Sequence, residues 1–240
     1  MDVYNAGNRV MNTYIYGVLD GYIMIDTGYE HSLKNVEKRA MKQGIMFSQI
    51  RYVFLTHAHD DHAGFLNELL WKYPNIKVII SDRAMATLLR GQNSFQGGCS
   101  SLMALAFCKF MELIGKGNHF FPLIDKENIN RVIKISSQNI TNVENILQGK
   151  ILFTPGHTSD SISLKIGNII FCGDAAMNGF PSLKRVTIWI EDKDAFQNSW
   201  KLLIEEKADW IYPAHGKAFT PDYLKKYINY VPKIRLYKLK

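Results

Sequence analysis

The sequence is poor in cysteine, and its cysteines suit neither a disulfide framework nor a CxxC metal site. Cys99, Cys108 and Cys172 are an odd number, with no CxxC pair, in 240 residues. Secreted disulfide scaffolds use even numbers of cysteines, and intracellular thiols stay reduced. We therefore predict that the thiols act as small apolar side chains in a reducing compartment.

Long hydrophobic runs are also missing. The longest, residues 102–114, is too short to span a membrane and contains Lys109 and Glu112. The N-terminal stretch MDVYNAGNRVMNTYIYG has neither the basic nor the apolar region of a secretion signal. These absences predict a cytoplasmic protein without a membrane partner.

Acidic residues are absent from the C-terminal segment, residues 223–240, which carries six Lys or Arg. The formal net charge is +7, yet the rest of the chain holds 23 basic and 22 acidic residues. A broad basic face for nucleic acid is therefore not expected. We interpret the segment as a solvated basic tail, with a phosphate-binding arm as the alternative.

The composition is that of a globular protein, with 47% hydrophobic and 21% charged residues. Strand-like and helix-like patterns alternate, which predicts one α/β domain over residues 1–240. Residues 92–130 interrupt the alternation and are interpreted as an insertion or lid around a helix at 102–114. Helices are predicted at 31–44, 63–73, 82–91 and 193–207 and after Pro221, and their predicted N-caps include Ser32, Asp82 and Thr220. Strands are predicted within 14–28 and at 52–56, 76–81, 131–136, 150–156 and 209–216. A hairpin is predicted at 161–174.

The most informative stretch is FLTHAHDDHAGF, residues 54–65. It places three of the chain's seven histidines and two aspartates within residues 57–62. His157, Asp174 and His215 likewise follow strand-like runs, and strand ends on one sheet edge converge in space. A polar surface loop is the plain alternative, but the shared placement of five histidines favours a metal site.

One ion cannot use all of these side chains, so we predict two. His57, His59 and His157 would hold one metal, and Asp61, His62 and His215 the other. Asp174 would bridge them. Imidazole and carboxylate ligands suit Zn²⁺, and Fe or Mn also accept them.

The HxHxDH motif at 57–62, MIDTG at 24–28 and the later Gly-His, Gly-Asp and Ala-His-Gly motifs resemble the metallo-β-lactamase-fold superfamily. The resemblance covers Asn12 to Gly216. It implies a four-layer αβ/βα sandwich with two central mixed sheets, outer helices and a dinuclear site at the sandwich edge. It further implies that Asp26 orients the ligands from the second shell.

The predicted function is metal-dependent hydrolysis. A hydroxide bridging two metals would attack an ester, thioester, lactone or similar bond of a small molecule, with Asp61 as the catalytic proton shuttle. A mononuclear iron persulfide dioxygenase and a phosphodiesterase or nuclease of the same fold are the alternatives. Glutathione thioesters are not favoured, because only 25 residues follow His215.

Weaker candidates for substrate contact are Met177, Lys217 and His119. In the acyl-homoserine lactonases of the superfamily that this sequence resembles, a tyrosine occupies the position of Met177. The methionine therefore argues against a lactonase of this kind. Asp60 is interpreted as stabilising the turn, and His31 as an exposed polar residue. The sequence leaves the oligomeric state open.

Overall fold

The computed structural model describes residues 2–239, so Met1 and the tail residue Lys240 lie outside the described residues. The chain divides into two compact units. The first runs to Asn93 and resumes over Phe120–Lys150, and the second comprises Ser94–His119 and the chain from Ile151 onward. The segment at 92–130 is therefore shared between the units, and its role as a lid stays a prediction, as does the single domain.

Strands and helices alternate along the described residues. The strands are β1 (Val3–Asn5), β2 (Tyr14–Val18), β3 (Gly21–Ile25), β4 (Ile50–Phe54), β5 (Lys77–Ser81), β6 (Gly98–Cys99), β7 (Val132–Ile135), β8 (Lys150–Phe153), β9 (Ile162–Ile166), β10 (Ile169–Gly173), β11 (Trp189–Ile190) and β12 (Trp210–Pro213). The α-helices are α1 (Leu33–Met41), α2 (Leu66–Lys72), α3 (Ala84–Arg90), α4 (Leu102–Leu113), α5 (Ile140–Leu147), α6 (Lys193–Glu205) and α7 (Asp222–Tyr227). Short 3₁₀ helices cover Phe47–Gln49, Lys126–Arg131 and Ile228–Lys233.

The first unit contains a mixed sheet in the order β1-β2-β3-β4-β5-β7. Strands β1 to β3 are antiparallel, whereas β3, β4, β5 and β7 pair in parallel. The parallel strands are rich in Ile and Val, as expected where both faces are covered. Parallel pairing brings the carboxyl ends of β3 and β4 to one edge, where Asp26 donates its backbone N–H to Phe54 O at 3.0 Å.

The second unit contains a sheet in the order β12-β10-β9-β8 and a two-stranded sheet of β11 and β6. The β9–β10 hairpin turns at Gly167-Asn168, as the sequence predicts. Strands β10 and β12 are parallel, so Asp174 and His215 follow the carboxyl ends of neighbouring strands. Each unit has its own cluster of buried apolar side chains. These mixed sheets with flanking helices confirm the predicted α/β class.

Two predicted N-caps are wrong, and a third is in place without the expected hydrogen bond. The N-cap of α3 is Arg83 rather than Asp82, and that of α7 is Pro221 rather than Thr220. Ser32 occupies the N-cap of α1, but its hydroxyl donates to Tyr29 O instead of accepting a helix N–H. The described helices include none that is long and apolar enough to cross a membrane.

The basic segment from residue 223 is folded rather than a solvated arm, as far as residue 239. Leu224 and Val231 are fully buried, and Tyr237 exchanges backbone hydrogen bonds with Cys99 at 2.8 and 2.9 Å. Its described lysines and arginine are exposed. The sequence shows the charge of this segment but not the apolar residues that anchor it between the charges.

Candidate metal centre

In the first unit the HxHxDH segment begins just past the end of β4. His57, His59 and His62 are buried, with ring centroids 4.5 Å apart for His57 and His59 and 3.9 Å apart for His57 and His62. Three imidazoles at this spacing would repel one another if all were protonated. The cluster therefore suits neutral rings that offer ring nitrogens to a cation.

Asp26 holds His62 in a defined orientation. Its Oδ2 lies 2.9 Å from His62 Nδ1, and its Oδ1 accepts the backbone N–H of Thr56 at 2.7 Å. Because a carboxylate only accepts, Nδ1 carries the proton and Nε2 is left as the ligand atom of His62. Asp61 Oδ1 lies 3.7 Å from that Nε2.

Asp26 adopts a left-handed backbone conformation, with φ of 58°. A non-glycine residue with this φ is uncommon and often belongs to a functional site. Thr56 also donates its hydroxyl to the Asp26 carboxylate, at 2.9 Å from Oδ2. The local strain is thus held in place by a buried hydrogen-bond network that ends on His62.

Asp60, the other carboxylate of the motif, is engaged elsewhere. Its Oδ1 accepts from Asn93 Nδ2 at 2.7 Å, and its backbone N–H donates to Asn93 Oδ1 at 2.8 Å. This reciprocal pair fits the interpretation of Asp60 as a turn-stabilising residue. Asn93 carries no signal in the sequence that would connect it with the motif.

In the second unit His157 follows β8 and a glycine that the fold requires. Gly156 has φ of 134°, and a Cβ there would lie 2.3 Å from the backbone of Phe196. His157 Nδ1 donates to the backbone carbonyl of Trp189 at 2.8 Å, which leaves Nε2 as its ligand atom. Trp189 is a positioning residue that sequence patterns miss, because any residue provides a carbonyl.

Asp174 directs its two carboxylate oxygens toward different histidines. Oδ2 lies 3.6 Å from His157 Nε2, and Oδ1 lies 3.6 Å from His215 Nε2. Both separations are too long for hydrogen bonds. They fit carboxylate and imidazole groups that could hold metal ions.

The glycine after His215 also has a structural reason. Gly216 has φ of 91°, and a Cβ there would lie 2.1 Å from Asn178 O. Asn178 in turn donates its backbone N–H to His215 O at 2.9 Å. The Ala-His-Gly motif is thus packed against the loop that follows Asp174.

The predicted ligands are buried or partly buried His and Asp side chains of the kind that could hold metal ions, and they are His57, His59, Asp61, His62, His157, Asp174 and His215. The donor set consists of carboxylates and imidazoles, with the tautomer fixed at His62 and His157, and it fits a borderline cation such as Zn²⁺. The assignment of each residue to one metal, the catalytic role of Asp61 and the second-shell role of Asp26 stay predictions.

The weaker candidates differ in exposure. Met177 is buried, and its backbone N–H donates to Arg185 O at 3.0 Å. Lys217 is exposed, and its carbonyl accepts from Asn178 Nδ2 at 2.8 Å. His119 is half-buried with its ring 6.0 Å from that of Phe95. Substrate contact by any of them stays a prediction.

The cysteines are not all inert apolar residues. Cys172 is buried among apolar side chains, as predicted. Cys108 instead faces Cys99, and a hydrogen bond from Cys99 lowers the pKa of the Cys108 thiol, with the charge of His119 lowering it further against the effect of burial. The same pairing and burial raise the pKa of Cys99.

Comparison with known proteins identifies the family of the chain. The family model of the metallo-beta-lactamase superfamily matches residues 7–215. The metallo-beta-lactamase fold-containing protein ST1585 of Sulfurisphaera tokodaii is 25% identical over 212 residues, covering 86% of this chain and 73% of that protein. The crystal structure of ST1585 matches with a TM-score of 0.63 at 21% identity, over 95% of this chain and 84% of the other.

Two enzymes are also similar. An atrochrysone carboxyl ACP thioesterase of Aspergillus chevalieri is 25% identical over 222 residues, covering 87% of this chain and 52% of the enzyme. A hydroxyacylglutathione hydrolase of Buchnera aphidicola is 24% identical over 160 residues, covering 65% of this chain and 43% of the enzyme. The chain thus spans about half the length of these two enzymes. With the family model matched over most of its length and the ligand motifs in place, the chain belongs to the metallo-β-lactamase superfamily.

Proposed function

We propose that this protein is a metal-dependent hydrolase that cleaves an ester, thioester, lactone or similar bond in a small molecule. Its seven His and Asp ligands would hold two metal ions, with Zn²⁺ favoured over Fe or Mn. The observation that carries the proposal is the Asp174 carboxylate, whose oxygens lie 3.6 Å from two different histidine Nε2 atoms. That geometry supports a carboxylate shared between two cations.

The hydrogen bonds that hold two of the histidine rings support the same ligand set. Asp26 fixes the proton on Nδ1 of His62, and the Trp189 carbonyl fixes it on Nδ1 of His157. Both rings therefore present Nε2, in the tautomer that a cation requires. Sequence motifs alone give the residue types; these contacts add the atom that each ring would use.

When bound, Zn²⁺ lowers the pKa of a coordinated water to about 7 and polarises a carbonyl oxygen. The residues of this chain would orient the reactants around it. Asp61, the least buried of the ligands near His62, would accept the proton of the attacking water and return it to the leaving group.

The similar enzymes favour thioesters within the proposed substrate class. One is by name a thioesterase that acts on an acyl carrier protein, and the other a hydroxyacylglutathione hydrolase. Both names describe hydrolysis at an acyl carbonyl. We propose a small-molecule acyl substrate rather than nucleic acid, and a cytoplasmic location, which suits cysteines that form no disulfide, namely Cys99, Cys108 and Cys172.

Metal analysis and a substrate screen test the proposal. We expect two zinc ions per chain and hydrolysis of an ester, thioester or lactone. His59→Ala and Asp174→Ala should abolish hydrolysis, whereas His31→Ala should not, because His31 is exposed and lies outside the motifs. Hydrolysis that survives the first two substitutions would remove the two-metal mechanism. One iron per chain, with O₂ consumed in the presence of glutathione persulfide, would replace it with the dioxygenase.

A further inference from the structure

A cavity of about 510 Å³ lies in the second unit, and Trp189, one of the residues that line it, is hydrogen-bonded to the proposed ligand His157. Its wall includes Phe95 and Trp189, the glycines Gly97 and Gly117, and Leu239. This volume is within the range of about 300–1,000 Å³ of pockets that bind small molecules.

The aromatic wall offers apolar surface rather than hydrogen bonds. Trp189 already donates its indole N–H to Gln96 O at 2.7 Å, so the ring has no donor left for a ligand. Phe95 is 48% exposed, which leaves a large apolar face in contact with water. A flat apolar group entering the cavity would cover that face and release the water.

Charge in the wall is balanced. Glu112 and Lys238 are exposed and line the cavity, one acidic and one basic. Such a wall gives no net attraction to a strongly charged ligand. It fits an uncharged apolar group that covers the aromatic side chains.

Trp189 connects the cavity with the metal ligands. Its side chain lines the cavity, and its backbone carbonyl accepts the proton of His157 Nδ1 at 2.8 Å. Antiparallel pairing of β11 with β6 fixes the backbone of Trp189 opposite Cys99. A group that contacts the indole ring therefore contacts the residue whose carbonyl orients the proposed ligand His157.

We propose that this cavity binds the aromatic ring, or a similarly flat apolar group, of the substrate whose bond is hydrolysed at the metal ligands. The part that concerns the reaction rests on the proposed function. The binding of the ring rests on the cavity alone. Phe95 and the Trp189 side chain are then the specificity-determining residues.

Binding of a ring is tested first, without catalysis. The probe is 4-phenylbutyrate, with butyrate as the ring-free comparison, followed by NMR on the full chain. We expect nuclear Overhauser contacts between the phenyl protons and indole protons that disappear in Trp189→Phe. Phe95→Ala should raise the Kd of 4-phenylbutyrate by about 10-fold, the scale set by lost apolar contact in a pocket.

Phe153→Ala is the matched control, because Phe153 is 49% exposed and does not line the cavity. It should leave the Kd of 4-phenylbutyrate unchanged. Equal effects of Phe95→Ala and Phe153→Ala on this Kd would overturn the proposal. So would contacts between phenyl and indole protons that persist in Trp189→Phe, or equal binding of butyrate and 4-phenylbutyrate.

Kinetics then test the connection to the reaction. We expect kcat/KM for methyl phenylacetate or benzyl acetate, relative to methyl acetate, to fall by about 10-fold in Phe95→Ala. It should not change in Phe153→Ala. If the unmodified protein hydrolyses none of these esters and no other ester, thioester or lactone, the proposed function fails, while the NMR result still decides whether the cavity binds a ring. If Phe95→Ala leaves kcat/KM relative to methyl acetate unchanged for both aromatic esters, the cavity does not bind the substrate.

Discussion

Single side chains decide how well the proposed metal ligands are oriented, and Asp26 is the clearest case. It is buried, held by Thr56 and bound to His62 Nδ1, so its contribution acts through the imidazole and not on the substrate. An amide in its place would keep the size but lose the charge. It would also allow the His62 ring to change its tautomer.

Asp26→Asn should weaken metal binding by about 10- to 100-fold, because the loss of a partner that fixes the tautomer of a ligand lowers the metal affinity by that factor. Competition with a chromogenic chelator measures the affinity directly. The matched control is Asp60→Asn, whose side chain keeps an oxygen acceptor for Asn93 Nδ2. Similar losses in the two variants would show that the effect of Asp26→Asn is merely structural.

Cys108 should react with iodoacetamide at a lower pH than an ordinary thiol. The Cys99 hydrogen bond and the charge of His119 lower its pKa, so its thiolate forms at a pH where a free cysteine, with a pKa of about 8.5, is still protonated. Rates of alkylation against pH, read by mass spectrometry, give the midpoint. We expect Cys172 to react slowly throughout, because it is buried.

His119→Gln should move the midpoint of Cys108 alkylation upward, since it removes one cause of the lowered pKa. A Cys108 rate profile identical to that of a small-molecule thiol would contradict the interpretation. The sequence predicts neither this pair nor its reactivity, because nine positions separate the cysteines and only the packing of α4 beside β6 brings them together.

At the scale of elements, the ligand-bearing loops depend on glycines that admit no side chain. Gly156→Ala should lower the free energy of unfolding by roughly 2 kcal/mol or more, because the new Cβ meets the Phe196 backbone and φ is positive. Urea unfolding measures the loss. Gly167→Ala, also at positive φ but with nothing within 4 Å of the new Cβ, should cost only the backbone strain of about 1 kcal/mol.

If the two alanine variants were equally stable, the close approach of the loop to α6 would not matter. Most elements that position the ligands are predictable from sequence, since β4, β10 and β12 have the apolar patterns of buried strands. The partners of the ligands are not. Trp189 contributes through its backbone, and Asn93 lies 33 positions from Asp60, so neither leaves a local pattern.

At the scale of the whole molecule, metal binding should stabilise the folded chain. A ligand that binds only the native state adds about 2.7 kcal/mol when its concentration is 100 times its Kd. We expect EDTA to lower the Tm and added Zn²⁺ to restore it, as followed by circular dichroism. Asp174→Ala should abolish the effect of Zn²⁺, and an unchanged response in that variant would argue against Asp174 as a ligand.

The fold class and the family follow from the sequence because ligand spacing and strand patterns are both local signals. The folded state of the basic C-terminal segment does not, since its charge suggests solvation while its anchors are a few apolar residues at irregular intervals. Leu224, Val231 and Ile234 are buried in the same apolar cluster as β10. Tyr237 and Cys99 pair through their backbones although they lie far apart in the sequence, so no local pattern predicts the pairing.

That pairing has a practical consequence for handling the protein. Lys238 and Leu239, just after Tyr237, form part of the wall of the 510 Å³ cavity. A truncation that removes Tyr237 and the residues after it would therefore also remove part of the wall of this cavity.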